Sequence, residues 1–241
     1  MDGHSKQLLP LDTSADAERY RGRVALLPIG SFEQHGPYLP SVTDTVIACT
    51  IAGEVAAAYG VQVLPPVTVS CSHEHEAWPG TVSISAATLV AVVRDIAASV
   101  RRSGAAGLVL VNGHGGNYVL GNVVQEARGT MALFPGLHDW QAARAAAGLE
   151  TSLDTDMHAG ELETSVLLHA HPDMVREGYA SADSVADERP HLLTLGLEAY
   201  TGSGVVGRPS LASARKGKAV LAGLVESFAA YPPLFTVPRS R

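Results

Sequence analysis

The chain has 241 residues, 46% of them hydrophobic and 17% charged, with a formal net charge of −7. That is the composition of a folded globular protein rather than a disordered segment, and the length suits one α/β domain with a sizeable core. The acidic balance, with no basic run anywhere, excludes nucleic acid and anionic membrane surfaces as partners, because both are held by clustered Lys and Arg.

The predicted elements alternate between strand and helix. Val24 to Ile29 is a short apolar run of buried-strand length, and Thr43 to Tyr59, rich in Ala and ended by Gly60, is a helix. Val61 to Leu64 is a second strand, closed by Pro65 and Pro66. Ala86 to Arg102 reads as an amphipathic helix, with Leu89, Val92, Val93, Ile96 and Val100 on its apolar side. Gly107 to Val111 is a third strand, followed by a helix from Asn117 to Arg128, and Met131 to Leu137 fits a fourth strand. Gly160 to Leu168 and Ala212 to Ala229 are helices, while Ala180 to Pro209 is irregular and reads as a long loop or a flap near a site. The alternation implies a single α/β domain with a mostly parallel sheet and helices on both faces. Cys49 and Cys71 have no metal-type spacing and read as reduced packing residues. The start, MDGHSKQLLP, lacks the apolar core of a secretory signal, and the most apolar run, GAAGLVLVNG, is too short to span a bilayer. The expectation is a soluble cytoplasmic protein.

Ligands of a parallel α/β sheet bind beyond the C-terminal ends of the strands, and the chain carries four polar clusters to which that rule applies. SFEQHGPYLPSVTD places Glu33, His35 and Asp44 between the first strand and its helix. Glu33 and His35 are two apart, so an extended segment points both side chains the same way, and the helix dipole favours Asp44 in the first turn. Such a set suits Zn²⁺, Mn²⁺ or Fe²⁺, although Asp44 or Thr43 is equally an ordinary N-cap. VNGHGGN places His114 among glycines at the end of the third strand, where amides near Gly115 and Gly116 suit an anion or a developing oxyanion and Asn117 suits a helix cap. MHAGELETS brings His158, Glu161 and Glu163 to a helix start; Glu161 also fits an ordinary first-turn carboxylate, whereas Glu163 stands in an apolar setting. CSHEHEAWPGTVSIS carries His73, Glu74, His75 and Glu76, which in extended chain alternate in direction, so Glu74 and His75 are placed at a pocket rim. A solvated loop competes with that reading. Trp78 and Trp140 either wall a pocket for a flat group or belong to the core.

Taken together and in order, PIGSFEQHGPYLPSVTD, VNGHGGN and HAGELETS resemble the signature segments of the creatininase (creatinine amidohydrolase) family, and WPGTVSIS is similar to another. The forms EHEAWPGT and HGGN look more like the branch that holds the mycofactocin-system peptidase than like creatininase proper. The resemblance implies a three-layer α/β/α sandwich with two divalent ions per subunit, in chains that form homohexamers. It matches Glu33, Asp44 and His114 to the ligands of one ion, and His35 and Asp44 to the other, with Asp44 bridging. In creatininase the second ion also takes a Glu two places after the strand-end histidine. That position is Gly116 here, and Glu163, which matches a site glutamate of the family, is the expected replacement. His158 matches the catalytic histidine that passes a proton to the leaving amine. Tyr38 replaces a His of the family loop.

The residue chemistry fits amide hydrolysis, which needs a nucleophile at neutral pH, an oxyanion stabiliser and an acid for the amine. No GxSxG elbow is present, and Cys71 near His73 has no orienting partner for a thiol hydrolase. The substrate expected is a small amide or a short peptide. Two other readings remain open, a metal-stabilised scaffold without catalysis and a metal-assisted isomerase of a sugar-like substrate.

Overall fold

The computed structural model describes residues 7–236. Four strands, β1 (Val24–Ile29), β2 (Gln62–Val63), β3 (Gly107–Asn112) and β4 (Met131–Phe134), form one parallel sheet in the order β2–β1–β3–β4. Side chains alternate across the sheet as the strand period requires. Val24, Leu26, Val109, Val111, Ala132 and Phe134 face one core, and Ala25, Leu27, Ile29, Leu108 and Leu110 face the other.

Each core is closed by helices. On the first face lie α2 (Thr43–Tyr59), α5 (Leu137–Ala147), α6 (Glu161–Ala170) and α8 (Ala214–Ser227), which contribute Ile47, Ile51, Ala143, Val166, Leu221 and Leu224 to that core. The second face is covered by α3 (Ala86–Arg102), through Leu89 and Val93, and α4 (Val119–Glu126), through Leu120 and Val123. The result is the three-layer α/β/α sandwich, and parallel strands buried on both faces explain the continuous apolar runs. Two short helices lie outside these layers, α1 (Ser14–Ala17) and α7 (Leu192–Leu195).

Two readings change. The fourth strand stops at Phe134, and Leu137 opens α5, a helix the sequence did not announce. Its turns carry alanines, and it buries Ala143, Arg144 and Ala147 while Leu137 stays 62% exposed, so it has no apolar stripe. Asn117 does not cap α4: its side-chain oxygen accepts from the Cys71 N–H (3.3 Å), and its amide donates to Asn112 (3.0 Å). The Ala180–Pro209 stretch is built of short turns tied down by isolated bridges between His158 and Val206 and between Ser184 and Gly207. Both cysteines are free and buried, and burial pushes the Cys49 thiol up to about 11. Among the described residues no helix is long and apolar enough to cross a membrane.

Candidate metal centre

The C-terminal ends of β1 and β3 lie side by side, with Ile29 in register with Asn112. The loops that leave them, together with the first turns of α2 and α6, bring Glu33, His35, Asp44, His114, His158 and Glu163 to one place. All are buried except Glu163, whose side chain is 16% exposed. Three groups have ligand atoms within 4.8 Å of one another: Glu33, Asp44 and His114; His35, Asp44 and Glu163; and Glu33, His35 and His158.

Asp44 joins the first two groups. Its Oδ1 lies 3.0 Å from His35 Nε2, and its Oδ2 lies 2.9 Å from His114 Nδ1 and accepts from Ser31 Oγ at 2.7 Å. Glu163 Oε2 lies 3.8 Å from His35 Nε2 and accepts from the Ala159 N–H at 2.6 Å. Ala159 holds a positive φ of 52°, a conformation that non-glycine residues seldom adopt and that aims its N–H at that carboxylate.

Each histidine has one ring nitrogen on a backbone carbonyl: His35 Nδ1 on Glu33 (3.1 Å), His114 Nε2 on Cys71 (2.7 Å) and His158 Nε2 on Gln34 (2.6 Å). The opposite nitrogens are left to face the carboxylates. That arrangement, in which the outer N–H fixes the ring and the inner lone pair points inward, is how metal-ligating histidines are held. Glu33 supplies the test of fit. Both its oxygens are buried with no hydrogen-bond partner, although His114 Nε2 lies 3.2 Å from one and His75 Nε2 lies 3.3 Å from the other. Off-axis nitrogens gathered around an unsatisfied carboxylate fit a shared cation better than a hydrogen-bond network.

Burial drives the titration behaviour, and neighbouring charges modify it. Burial lifts Glu163 to about 8, with His35 pulling the other way, and it also raises Glu33 against the pull of His114. Burial opposes charge on His35, yet Asp44 and the other carboxylates lift it to about 9. Burial also acts against ionised Asp44, but His35 and His114 hold it well below the ordinary value. Burial and the neighbouring imidazoles keep His158 neutral and push His75 down to about 3.

His75 is not at a rim. His73–His75 is a tight 3₁₀ turn, so the extended-chain alternation does not apply, and His75 is 1% exposed. Its Nδ1 accepts from Gln34 Nε2 at 2.9 Å; the Gln34 amide is oriented by the Gly36 N–H (2.8 Å) and the Gly204 carbonyl (3.0 Å). Gly204 has φ 83°, and a Cβ there would overlap the Gln34 side chain, so both the turn and the contact require glycine. The sequence carries no signal for Gln34, a neutral residue two of whose partners, His75 and Gly204, lie far along the chain.

Two cavities open onto the centre. One, of about 230 Å³, is lined by Glu74, His75, Gly116, Tyr118, His158 and Arg189 among others. The other, of about 290 Å³, is lined by Trp140, Arg144, Leu153, Asp156 and Leu162 among others. His114, Gly115, Met157 and Glu163 belong to both. Trp78 lines neither; its ring lies 6.4 Å from that of His75. Arg189 and Leu192, from the irregular stretch, were not anticipated.

Fold and centre together define an α/β protein with buried carboxylates and imidazoles converging beyond its strand ends. The creatininase family model, described as creatinine amidohydrolase, matches residues 12–231. A mycofactocin precursor peptide peptidase of Mycolicibacterium smegmatis is 37% identical over 216 residues, covering 86% of this chain and 83% of that protein. A creatinine amidohydrolase of Pseudomonas putida is 29% identical, covering 72% of this chain and 74% of that one. Among solved structures, a creatininase variant complexed with creatine has the same fold at a TM-score of 0.80 and 24% identity, over 96% of this chain and all 100% of that one. The chain belongs to the creatininase family and is a hydrolase of carbon–nitrogen bonds.

Proposed function

We propose that the chain is a metal-dependent amidohydrolase that cleaves a peptide or a small amide, with a modified precursor peptide as the first substrate class to try. The observation that carries the metal is the Glu33 carboxylate, buried with both oxygens unpartnered amid imidazole nitrogens. Glu33, Asp44 and His114 would hold one divalent ion, and His35, Asp44 and Glu163 a second, with Asp44 in both groups. Zn²⁺, Mn²⁺ and Fe²⁺ all suit these donors. When bound, the ions supply Lewis acidity and lower the pKa of a coordinated water from about 15.7 to about 7.

The chain's own residues supply the rest. His158 keeps its Nε2–H on the Gln34 carbonyl, so its Nδ1, 3.7 Å from Glu33 Oε1, is free to take a proton and return it to the departing amine. Two cavities meeting at Gly115 and Glu163 favour a substrate that extends to both sides of the scissile bond. That supports a peptide over a compact ring such as creatinine, with Trp140 walling one side and Glu74 and His75 the other. The relative named as a precursor peptide peptidase points the same way. A homohexamer belongs to the same reading, and its mass in solution tests it.

The experiment is metal content per chain for the wild type and Glu163→Gln, followed by a screen of peptides and amides for amine release. About two ions in the wild type and about one in the variant, with metal-dependent release, is the expected result. A wild type that binds no ion even after Zn²⁺ or Mn²⁺ is added would overturn the reading.

A further inference from the structure

Glu74 stands apart from the three ligand groups, yet its carboxylate also points into the centre without a hydrogen bond from the described residues. Its side chain is 9% exposed and lines the 230 Å³ cavity beside Glu33, His114 and Glu163. No donor of the described residues forms a hydrogen bond with its carboxylate, and its one charged neighbour is His114 Nε2, 4.0 Å from Oε1. With no donor of its own, that carboxylate keeps its lone pairs available to a cation.

What lies beneath it is informative. A Cβ built on Gly116 would overlap both Glu74 Oε1 and His114 Nε2, and would come within 3.0 Å of the Cys71 carbonyl. Any side chain at position 116 therefore competes with the Glu74 carboxylate for one space against the His114 ring. Glycine at 116 is what lets the 3₁₀ turn at His73–His75 lay Glu74 over the centre. Glu163 is one replacement for the carboxylate absent at position 116; the space above Gly116 holds another, from a different loop.

We propose that Glu74 is a further carboxylate ligand of the metal centre, delivered by the His73–His75 turn into the space that Gly116 leaves open. Glu74 Oε1 lies 4.0 Å from the His114 ring and shares a cavity with Glu33, His114 and Glu163, so its carboxylate stands at the edge of the ligand set. The inference rests on the metal-dependent reading above and assigns the Glu74–Gly116 pair a joint role within it.

Affinity for Zn²⁺, measured by competition with a chromogenic chelator, tests it on four proteins: wild type, Glu74→Gln, Gly116→Glu, and the exchange Glu74→Gly with Gly116→Glu. Glu74→Gln keeps the shape of the side chain, and melting of the metal-free proteins checks that folding is intact. The expected result is a loss of affinity of roughly ten- to hundredfold for Glu74→Gln. Gly116→Glu alone should also bind more weakly because the two side chains collide. The exchange should recover at least half of the loss, since one carboxylate again occupies the space. Glu74→Gln binding Zn²⁺ within about twofold of a metal-binding wild type would overturn this inference and leave the hydrolase reading standing. A wild type with no Zn²⁺ affinity would overturn both.

Discussion

Two buried charged clusters meet on α6, and they are finished differently. Glu161 points to one: it accepts from the Glu150 N–H (3.0 Å), the Thr151 N–H (2.9 Å), Thr151 Oγ1 (2.6 Å) and Lys216 Nζ (2.5 Å). Beside it Asp156 accepts from the N–H groups of Glu161 (2.6 Å) and Leu162 (3.0 Å) and from Arg144 Nη1 (3.1 Å), while Arg144 Nη2 is spent on Thr151 and Ser152. Every charge there has an opposite charge and a full set of donors. Glu163, two residues along and so on another side of the helix, points to the other cluster, where Glu33 has no hydrogen bond on either oxygen. The ingredients are alike; the difference is completeness. A closed network of this kind fixes the start of α6, and the open one, held by that fixed start, is left needing a cation.

The sharpest way to break the open cluster is Asp44→Asn. Asp44 belongs to two of the ligand groups, so this change should empty both ion positions and take amide hydrolysis to background. Chelation of the wild type should do the same, with recovery when metal is returned. An Asp44→Asn protein that kept two ions per chain would remove the basis for a shared centre.

The closed cluster should answer in stability rather than metal content. Lys216→Ala leaves Glu161, fully buried, without its cation, and breaking a buried pair costs about 3–5 kcal/mol. Denaturant melts of the metal-free protein measure it. Lys216→Met combined with Glu161→Gln should cost less than the sum of the two single changes, because the uncompensated charge is gone. A strictly additive double variant would show that the pair is not coupled.

The pH dependence of the same pair follows from its shifts. Burial opposes ionisation of Glu161, but Lys216 and Thr151 hold its value below the ordinary 4.5. A depressed carboxylate contributes stability above its unfolded value and loses it as pH falls through the lower folded one. Burial likewise opposes charge on Lys216, while Glu161 and Glu150 raise it above the ordinary 10.5. That contribution is complete below 10.5 and is lost as pH rises through the higher folded value. The wild-type minus Lys216→Ala difference should therefore be flat from about pH 5 to 10 and shrink at both ends. A difference that grew outside that window would contradict the assignment.

The sequence made the frame and the meeting point legible, for physical reasons that also mark where reading fails. Val24–Ile29 and Gly107–Asn112 are buried on both faces and so appear as unbroken apolar runs, and a parallel sheet puts whatever follows them at the ligand-binding edge. Glu33, His35, Asp44 and His114 were located by that rule. The α5 helix was hidden because it packs through alanines, which give no apolar stripe. His75 was misplaced because the period of two holds only for extended chain, and the segment coils. Gln34 and Arg189 were invisible because their importance lies in contacts set by the tertiary fold: Gln34 reaches Gly204, and Arg189 donates to the Asp154 carbonyl. Local pattern places side chains on elements; it does not report which distant backbone group will orient them.

The smallest expected effect separates the clusters by sign. Burial raises the Glu33 carboxyl above its ordinary range, with Asp44 adding to it and His114 opposing. A carboxylate in that state costs stability above its unfolded value, which is the reverse of Glu161. Glu33→Gln removes the buried charge while keeping the side chain's shape, so at neutral pH the metal-free protein should become more stable, by about 1 kcal/mol. With saturating Zn²⁺ the order should invert, because the wild type gains binding energy that the variant cannot recover. Melting curves in chelator and in Zn²⁺ give both numbers on the same two proteins. If Glu33→Gln destabilised the metal-free protein as Lys216→Ala does, Glu33 would belong with the closed network, and its missing hydrogen bonds would not be a place kept for a cation.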